Sequence, residues 1–372
     1  MDSSMCRRLV VMLACGLVPL ALAPRAGAQS LTDQTNRGVV EIETGNTDGI
    51  SGKIADDLAG LLDDGATRRV VPVIGEGSLQ NIVDVKVLRG IDMAVVQIDA
   101  LDYARAQKLV PGIESMTYIA KLYNEEFHLL ARADTKTVDA LAGKKVNFDG
   151  RGTGTGVTAT RLFSLLGIKV DPTSYATGSA IERLEKGEID AVAFVGAKPA
   201  PVLRDVSTTE NLHFLAIPVR PAITAVYPPT QLTSKDYPGI VPDGAPVDTV
   251  AVGTALMAAN LTPGSERARN LSNFINAFFT QFPSLLEAGH HPKWKEVNLA
   301  ADIPGWKRSP VAEQWLQANA TVAKQATPAD LKMVFERFLE ERSKSAGGTA
   351  LSHEQQDEIF SEFQRWQAGQ VH

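Results

Sequence analysis

A β-α-β-α-β pattern occurs twice in this chain, and that duplication restricts the fold more than any other feature. In the first copy Val39-Val40-Glu41-Ile42-Glu43 leads through Thr44-Gly45-Asn46-Thr47-Asp48-Gly49-Ile50-Ser51-Gly52 into a helical pattern ending at Leu61-Leu62. Val70-Val71-Pro72-Val73-Ile74 follows as a strand, Gly77-Ser78 opens a second helix that stops at Gly90, and Asp92 leads the apolar strand Met93-Ala94-Val95-Val96. In the second copy Lys145-Val146-Asn147-Phe148 runs into Asp149-Gly150-Arg151-Gly152-Thr153-Gly154-Thr155-Gly156 and a helix from Val157 to Leu166. A weaker strand at Ile168-Lys169-Val170, a helix after Gly178-Ser179 ending at Gly187, and the strand Ala191-Val192-Ala193-Phe194 complete it. Such units build parallel sheets, and ligands of parallel sheets sit beyond the carboxyl ends of the strands, where these Gly-rich loops fall. Two loop sets facing one another make a cleft, so the expected fold is a two-lobed α/β clamp.

The loop from Asp149 to Gly156 carries the chemistry. Its alternating glycines, Gly152 and Gly154 among them, let the backbone approach a bound group closely, and the first amides of the following helix lack intrahelical partners. Those amides, the helix dipole and the hydroxyls of Thr153 and Thr155 favour a small anion such as a carboxylate or phosphate. The sharper nucleotide signatures fail on spacing: Gly156-Val157-Thr158 stands where a Walker loop needs Gly-Lys-Ser/Thr, and Val157 stands where a dinucleotide fingerprint begun at Gly152 needs its third glycine. On the glycines alone, a flexible loop with an ordinary helix start accounts for the stretch equally well.

Arg7-Arg8, the apolar run from Leu9 to Ala23 and Ala26-Gly27-Ala28 followed by Gln29 read as a secretory signal cleaved after Ala28; a lipoprotein signal at Leu13-Ala14-Cys15 is the alternative, with only the short run Leu9 to Ala14 as its apolar region. Both cysteines, Cys6 and Cys15, lie within it, so the remainder holds neither disulfide nor thiolate metal site. The signal also removes Arg7, Arg8, Arg25 and Asp2, which takes the net charge from -6 to about -8 and argues against a nucleic-acid surface. No later apolar run approaches membrane-spanning length, so the exported protein is expected to be soluble in the periplasm.

Along the chain, lobe 1 is expected over 38–131, lobe 2 over 132–235, a return to lobe 1 over 236–303, and a helical extension over 304–372. Ser78 reads as the N-cap of its helix, with the added possibility of facing the cleft. Gln97 and Asp99, at the carboxyl end of a strand, are ligand candidates by position; Asp99 also suits a cap for a helix over 100–107. Phe127-His128-Leu129-Leu130-Ala131 is the first crossing between lobes and Val247 to Val252 the second, and two crossings make a hinge. Lys198, in Val195-Gly196-Ala197-Lys198-Pro199-Ala200-Pro201, is a cation available to an anionic ligand or a solvated loop lysine. An amphipathic helix over about 265–286 should cover lobe 1. His290-His291 have no carboxylate at ligand spacing, so no metal is expected. In the extension, Thr327 and Pro328 begin one amphipathic helix, and Ser352 with Gln355 caps another after the linker 345–349.

Taken as an ordered set, Gly77-Ser78 to Asp99, Val146 to Leu166, the Lys198 loop, and Tyr237-Pro238-Gly239-Ile240 with Val247 to Val252 resemble the TAXI family. These are the solute-binding proteins of tripartite ATP-independent periplasmic (TRAP) transporters, and the resemblance covers roughly 38–300. It implies a type II periplasmic-binding-protein fold that closes on a small organic anion or amino acid and delivers it to TRAP transporter membrane subunits, with no cofactor. It also implies a ligand shell drawn from Thr47, Ser51, Ser78, Gln97, Thr153, Thr155 and Lys198. The chain departs from the family at Thr47-Asp48-Gly49-Ile50-Ser51, where an aromatic residue is usual. Two other classes stay open: a sensor that reports occupancy to a membrane receptor through the extension, and an enzyme. Against the enzyme stand the missing cysteines, the missing metal cluster and the absence of histidine from the cleft loops.

Overall fold

The computed structural model describes residues 37–45, 49–204, 206 and 211–319. The signal segment and the two tail helices expected from the sequence lie outside the described residues. The first repeat comprises β1 (Val39–Thr44), α1 (Ser51–Leu62), β2 (Arg69–Ile74), α2 (Ser78–Val87) and β3 (Ile91–Gln97), with β1 lying between β2 and β3 and parallel to both. Helix α3 (Ile98–Ala106) follows at once, then the 16-residue strand β4 (Thr117–Arg132). The second repeat is β5 (Lys145–Asn147), α4 (Gly154–Leu166), β6 (Asp171–Thr173), α5 (Thr177–Glu185) and β7 (Ala191–Gly196). Here too the first strand is central, with β6 and β7 parallel on either side. The repetition read from the sequence is therefore a repetition of topology.

After β8 (Leu212–Phe214) and β9 (Pro229–Leu232) comes β10 (Val247–Ala258), then α6 (Glu266–Leu285), β11 (Lys307–Arg308) and α7 (Pro310–Ala318). The sheet order is β2-β1-β3-β10-β4-β7-β5-β6. Strands β4 and β10 run antiparallel at its centre, and each belongs to both halves. Residues 126–131 of β4 pair with β7, while residues 254–258 of β10 pair with β3. The result is a two-lobed α/β fold on one continuous curled sheet.

Helices cover both faces of β3 and β7, so these two strands are buried along their whole length, as internal parallel strands are. In β3, Met93 and Val95 face α1 and α6, whereas Ala94 and Val96 face α2 and α3. In β7, Ala191, Ala193 and Val195 pack with α4, and Val192 and Phe194 with α5. Helix α6 starts where Ser265 accepts the Ala268 N–H, and it buries Phe274 and Phe278, with Phe278 lying 6.0 Å from the Trp294 ring. Among the described residues no helix is long and apolar enough to cross a membrane.

Three expectations change. The strand expected over 168–170 lies at Asp171–Thr173, because Gly167 ends α4 in a left-handed conformation and the Ile168 N–H is still bound to the Phe163 carbonyl. The first crossing is much longer than 127–131, since Lys121, Asn124, Glu125 and Glu126 interrupt the apolar pattern of β4 without interrupting the strand. Ser78 does not cap α2. Gly77 takes that place at φ 133°, and the Ser78 hydroxyl instead accepts the Gln97 N–H at 3.0 Å.

Candidate functional site

The loops at the carboxyl ends of β1, β2, β3, β5 and β7 converge on one cavity between the halves. Its lining includes Gly45, Ser51, Glu76, Gly77, Ser78 and Gln97 from the first repeat. The second repeat supplies Asp149, Thr153, Gly154, Thr155 and Val195, and the two long strands supply Glu125 and Thr254. The cavity has a volume of about 60 Å³, which is room for several waters. This is where ligands of doubly wound sheets bind, and both repeats reach it by the same topological route.

The two loop sets touch. Leu79 at the start of α2 donates its N–H to the Gly152 carbonyl at 3.0 Å. A Cβ on Gly77 would stand 3.0 Å from the Thr153 Cα, and one on Gly154 would stand 2.2 Å from Gln97 Oε1. Position 77 therefore needs glycine for the two backbones to approach so closely, whereas a side chain at Gly154 would have to displace the Gln97 amide. Thr153 is the N-cap of α4: its hydroxyl accepts the Gly156 N–H at 3.1 Å and donates to the Gly150 carbonyl at 2.8 Å. The Thr155 hydroxyl accepts the Val195 N–H at 3.0 Å, which ties the loop to the end of β7.

Beneath this rim lies a buried polar layer. Gln97 Nε2 donates to Glu125 Oε2 at 2.6 Å, and Glu125 is only 8% exposed. Burial pushes the Glu125 carboxyl up to about 7; the Gln97 hydrogen bond opposes that rise and the neighbouring Glu126 charge adds to it. Asp99, fully enclosed, accepts from the Thr158 hydroxyl at 2.8 Å and the Tyr227 hydroxyl at 2.7 Å, and Arg161 donates to its carbonyl. Its side chain therefore neither caps α3 nor reaches the cavity; it clasps the first half to the second. Burial raises its carboxyl, and these hydrogen bonds hold it down in part.

Glu126, next along β4, turns away from Glu125. It pairs with Lys293 at 2.9 Å and accepts the Lys198 N–H at 2.9 Å. Both ends of that ion pair are buried, at 4% and 5% exposure. Removing water raises the Glu126 carboxyl, and Lys293 works against that rise.

Of the residues singled out in the sequence, Ser51, Ser78, Gln97, Thr153, Gly154 and Thr155 come together around the cavity. Gly152 lies just outside, lining a neighbouring groove with Arg151, Tyr103 and Leu109. Lys198 does not line the cavity: its ammonium bonds the Gln231 carbonyl and stands 3.7 Å from Asp236. Thr47 falls outside the described residues. The sequence reading passed over Glu125, Glu76 and Thr254. A signal for Glu125 existed, namely two adjacent acids inside the strand-like run Leu122-Tyr123-Asn124-Glu125-Glu126-Phe127, where an unpaired carboxylate is costly.

The model of the NMT1-like family matches residues 44–301, which takes in the first repeat from the end of β1, the second repeat, both long strands and α6. Among solved structures, the periplasmic binding protein BugD is 15% identical, covering 69% of this chain and 85% of that one, with a TM-score of 0.44. The periplasmic aliphatic sulphonate binding protein SsuA from Escherichia coli is 14% identical, covering 88% and 92%, with a TM-score of 0.38. MatC from Rhodopseudomonas palustris, solved with bound malate, is 18% identical, covering 64% and 84%, with a TM-score of 0.41.

Proposed function

The chain belongs to the NMT1-like family, and from that premise we propose that it is an extracytoplasmic solute-binding protein of the TAXI type. It captures a small organic anion or amino acid between its lobes, 38–131 with 236–303 on one side and 132–235 on the other. It then presents the solute to the membrane subunits of a TRAP transporter in the periplasm, after removal of the signal at Ala28. The observation that carries this reading is the convergence of two topologically identical loop sets on one cavity, joined by two long shared strands. That arrangement lets a solute bind both halves at once and favour the closed form by its differential affinity.

In this reading Ser51, Ser78 and Gln97 contact the solute from one side and Thr153, Gly154 and Thr155 from the other. The work of the site is binding rather than turnover. Thermal unfolding of the ligand-stripped protein against amino acids, keto acids and dicarboxylates tests it. A solute at about a hundred times its dissociation constant adds roughly 2.7 kcal/mol to stability. The expected result is stabilisation by one chemical class, lost when Ser78→Ala is combined with Thr155→Ala. If no solute shifts the transition, the clamp reading is wrong. Delivery is tested separately, by uptake in vesicles carrying the transporter membrane subunits with and without this protein.

A further inference from the structure

The charges around the cavity are lopsided. Glu76, Glu125 and Asp149 all line it, and among the described lining residues there is no lysine, arginine or histidine. Lys198, the cation expected from the sequence to serve an anionic ligand, is engaged with Gln231 and Asp236. The donors facing a ligand carboxylate are then hydroxyls and the amides at the start of α4, one of which, at Gly156, is already taken by Thr153. A helix N-terminus offers about half a unit of positive charge. That suits one carboxylate and leaves a second facing acids.

Glu125 is held for a different contact. Its Oε2 accepts from Gln97 at 2.6 Å, and the Gln97 amide fills the space where a side chain on Gly154 would stand, so this bond holds the carboxyl toward the cavity. Resting on the solute-binding reading above, we infer that Glu125, positioned by Gln97, receives the ammonium group of the bound solute, so that the cleft selects amino acids over keto acids and dicarboxylates of the same shape.

A proton accompanies the event. The empty site holds Glu125 buried beside Glu126, with Asp99 and Lys293 the other charges felt there and Glu76 and Asp149 sharing its cavity, so its carboxyl titrates near neutrality at about 7. An ammonium arriving against it draws that proton off into solvent, and the carboxylate and ammonium remain as a pair. Amino-acid affinity should therefore fall about ten-fold between about pH 8 and about pH 6, since only the ionised carboxyl pairs well.

The test is titration calorimetry of the whole protein with matched solutes: L-alanine and pyruvate, L-leucine and 4-methyl-2-oxopentanoate, L-aspartate and oxaloacetate, L-glutamate and 2-oxoglutarate. Runs at pH 6 in two buffers of different ionisation enthalpy count the protons released. The expected outcome is that an amino acid binds at least ten-fold tighter than its keto partner and releases close to one proton. Glu125→Gln, which keeps an acceptor for Gln97, should erase both the preference and the release. A keto acid or dicarboxylate that binds as well as its amino partner overturns the ammonium site while leaving the solute clamp standing. An unchanged preference in Glu125→Gln does the same. If the variant does not fold, the matched pairs on the unaltered protein decide alone. Binding of none of these solutes removes the clamp reading and this inference with it.

Discussion

Gly154→Ala should separate closure of the cleft from stability of the fold. Gly154 opens α4 with ordinary helical backbone, so alanine is tolerated locally, yet its Cβ would lie 2.2 Å from Gln97 Oε1, 2.4 Å from Cδ and 2.7 Å from Nε2. None of these distances is survivable, so either Gln97 turns away or the halves stay apart. Turning Gln97 breaks its bond to Glu125 and strands a buried donor, at a cost of roughly 1–3 kcal/mol. Taking about 2 kcal/mol against the closed form, the dissociation constant of a solute that binds that form rises about thirty-fold. At a solute concentration a hundred times the original constant, ligand-induced stabilisation should drop from about 2.7 to about 0.9 kcal/mol. The ligand-free protein relieves the clash by opening, so its urea midpoint should change by less than about 1 kcal/mol equivalent. Gly178→Ala, in the other helix of that repeat with nothing within 4 Å of its added methyl, is the control and should bind normally. Binding within about three-fold of the unaltered protein would refute the claim that the loops must meet.

Other perturbations probe the layers beneath. Lys293→Met should cost about 3–5 kcal/mol in urea unfolding, because Glu126 is left buried and unpaired. Tyr227→Phe removes one of two hydroxyls from the Asp99 carboxylate and should cost about 1.5–3 kcal/mol, seen as a lower urea midpoint. Phe278→Ala empties the centre of the aromatic cluster on α6 and should cost about 3–5 kcal/mol by the same measurement. Glu125 binds its proton more tightly folded, at about 7, than unfolded, near 4.5, so its contribution is present below the unfolded value and is lost as pH rises through the folded one. Ligand-free Glu125→Gln should accordingly gain stability over the unaltered protein by roughly 3 kcal/mol between about pH 4.5 and about pH 7.5, and parallel pH profiles would disprove the shift.

The parts of this fold legible in the sequence are those where one local rule decides. Apolar runs of parallel strands, glycines at turns and caps such as Ser265 are written in neighbouring residues, and α1, α4 and α6 appear close to where they were expected. The candidate site was legible through topology: once a repeat is recognised, the carboxyl ends of its strands are known, and Ser78, Gln97 and Thr153 follow, while Ser51 came from the family resemblance. What stayed hidden depends on partners far away in the chain. Asp99 looks like a cap because Thr158 and Tyr227, which claim it, are 59 and 128 residues distant. Lys198 looks available because Gln231 and Asp236 are not its sequence neighbours. Glu125 and Glu126 look like the end of a strand because burial of a carboxyl is costly unless something receives it, and the receiver of Glu126, Lys293, is 167 residues on.

Those two acids give the arrangement its logic. Consecutive residues of a strand point to opposite faces, so a Glu-Glu pair on β4 must send one carboxyl into the cavity and the other out through the back of the sheet. Glu125 meets Gln97 and the space for the solute; Glu126 meets Lys293 and the Lys198 backbone, which belong to different halves. The strand carrying both passes from one half to the other. A charge that settles on Glu125 is thus placed one residue from the ion pair that pins the crossing, and the Glu126 charge raises the Glu125 carboxyl. Ionising Glu125 without a cation opposite would load the crossing with repulsion, whereas an ammonium bound in the cleft cancels it. Under the proposed ammonium contact, a solute that bridges the lobes removes the electrostatic penalty of the buried acid pair, and an occupied cleft is the state in which both carboxylates are matched.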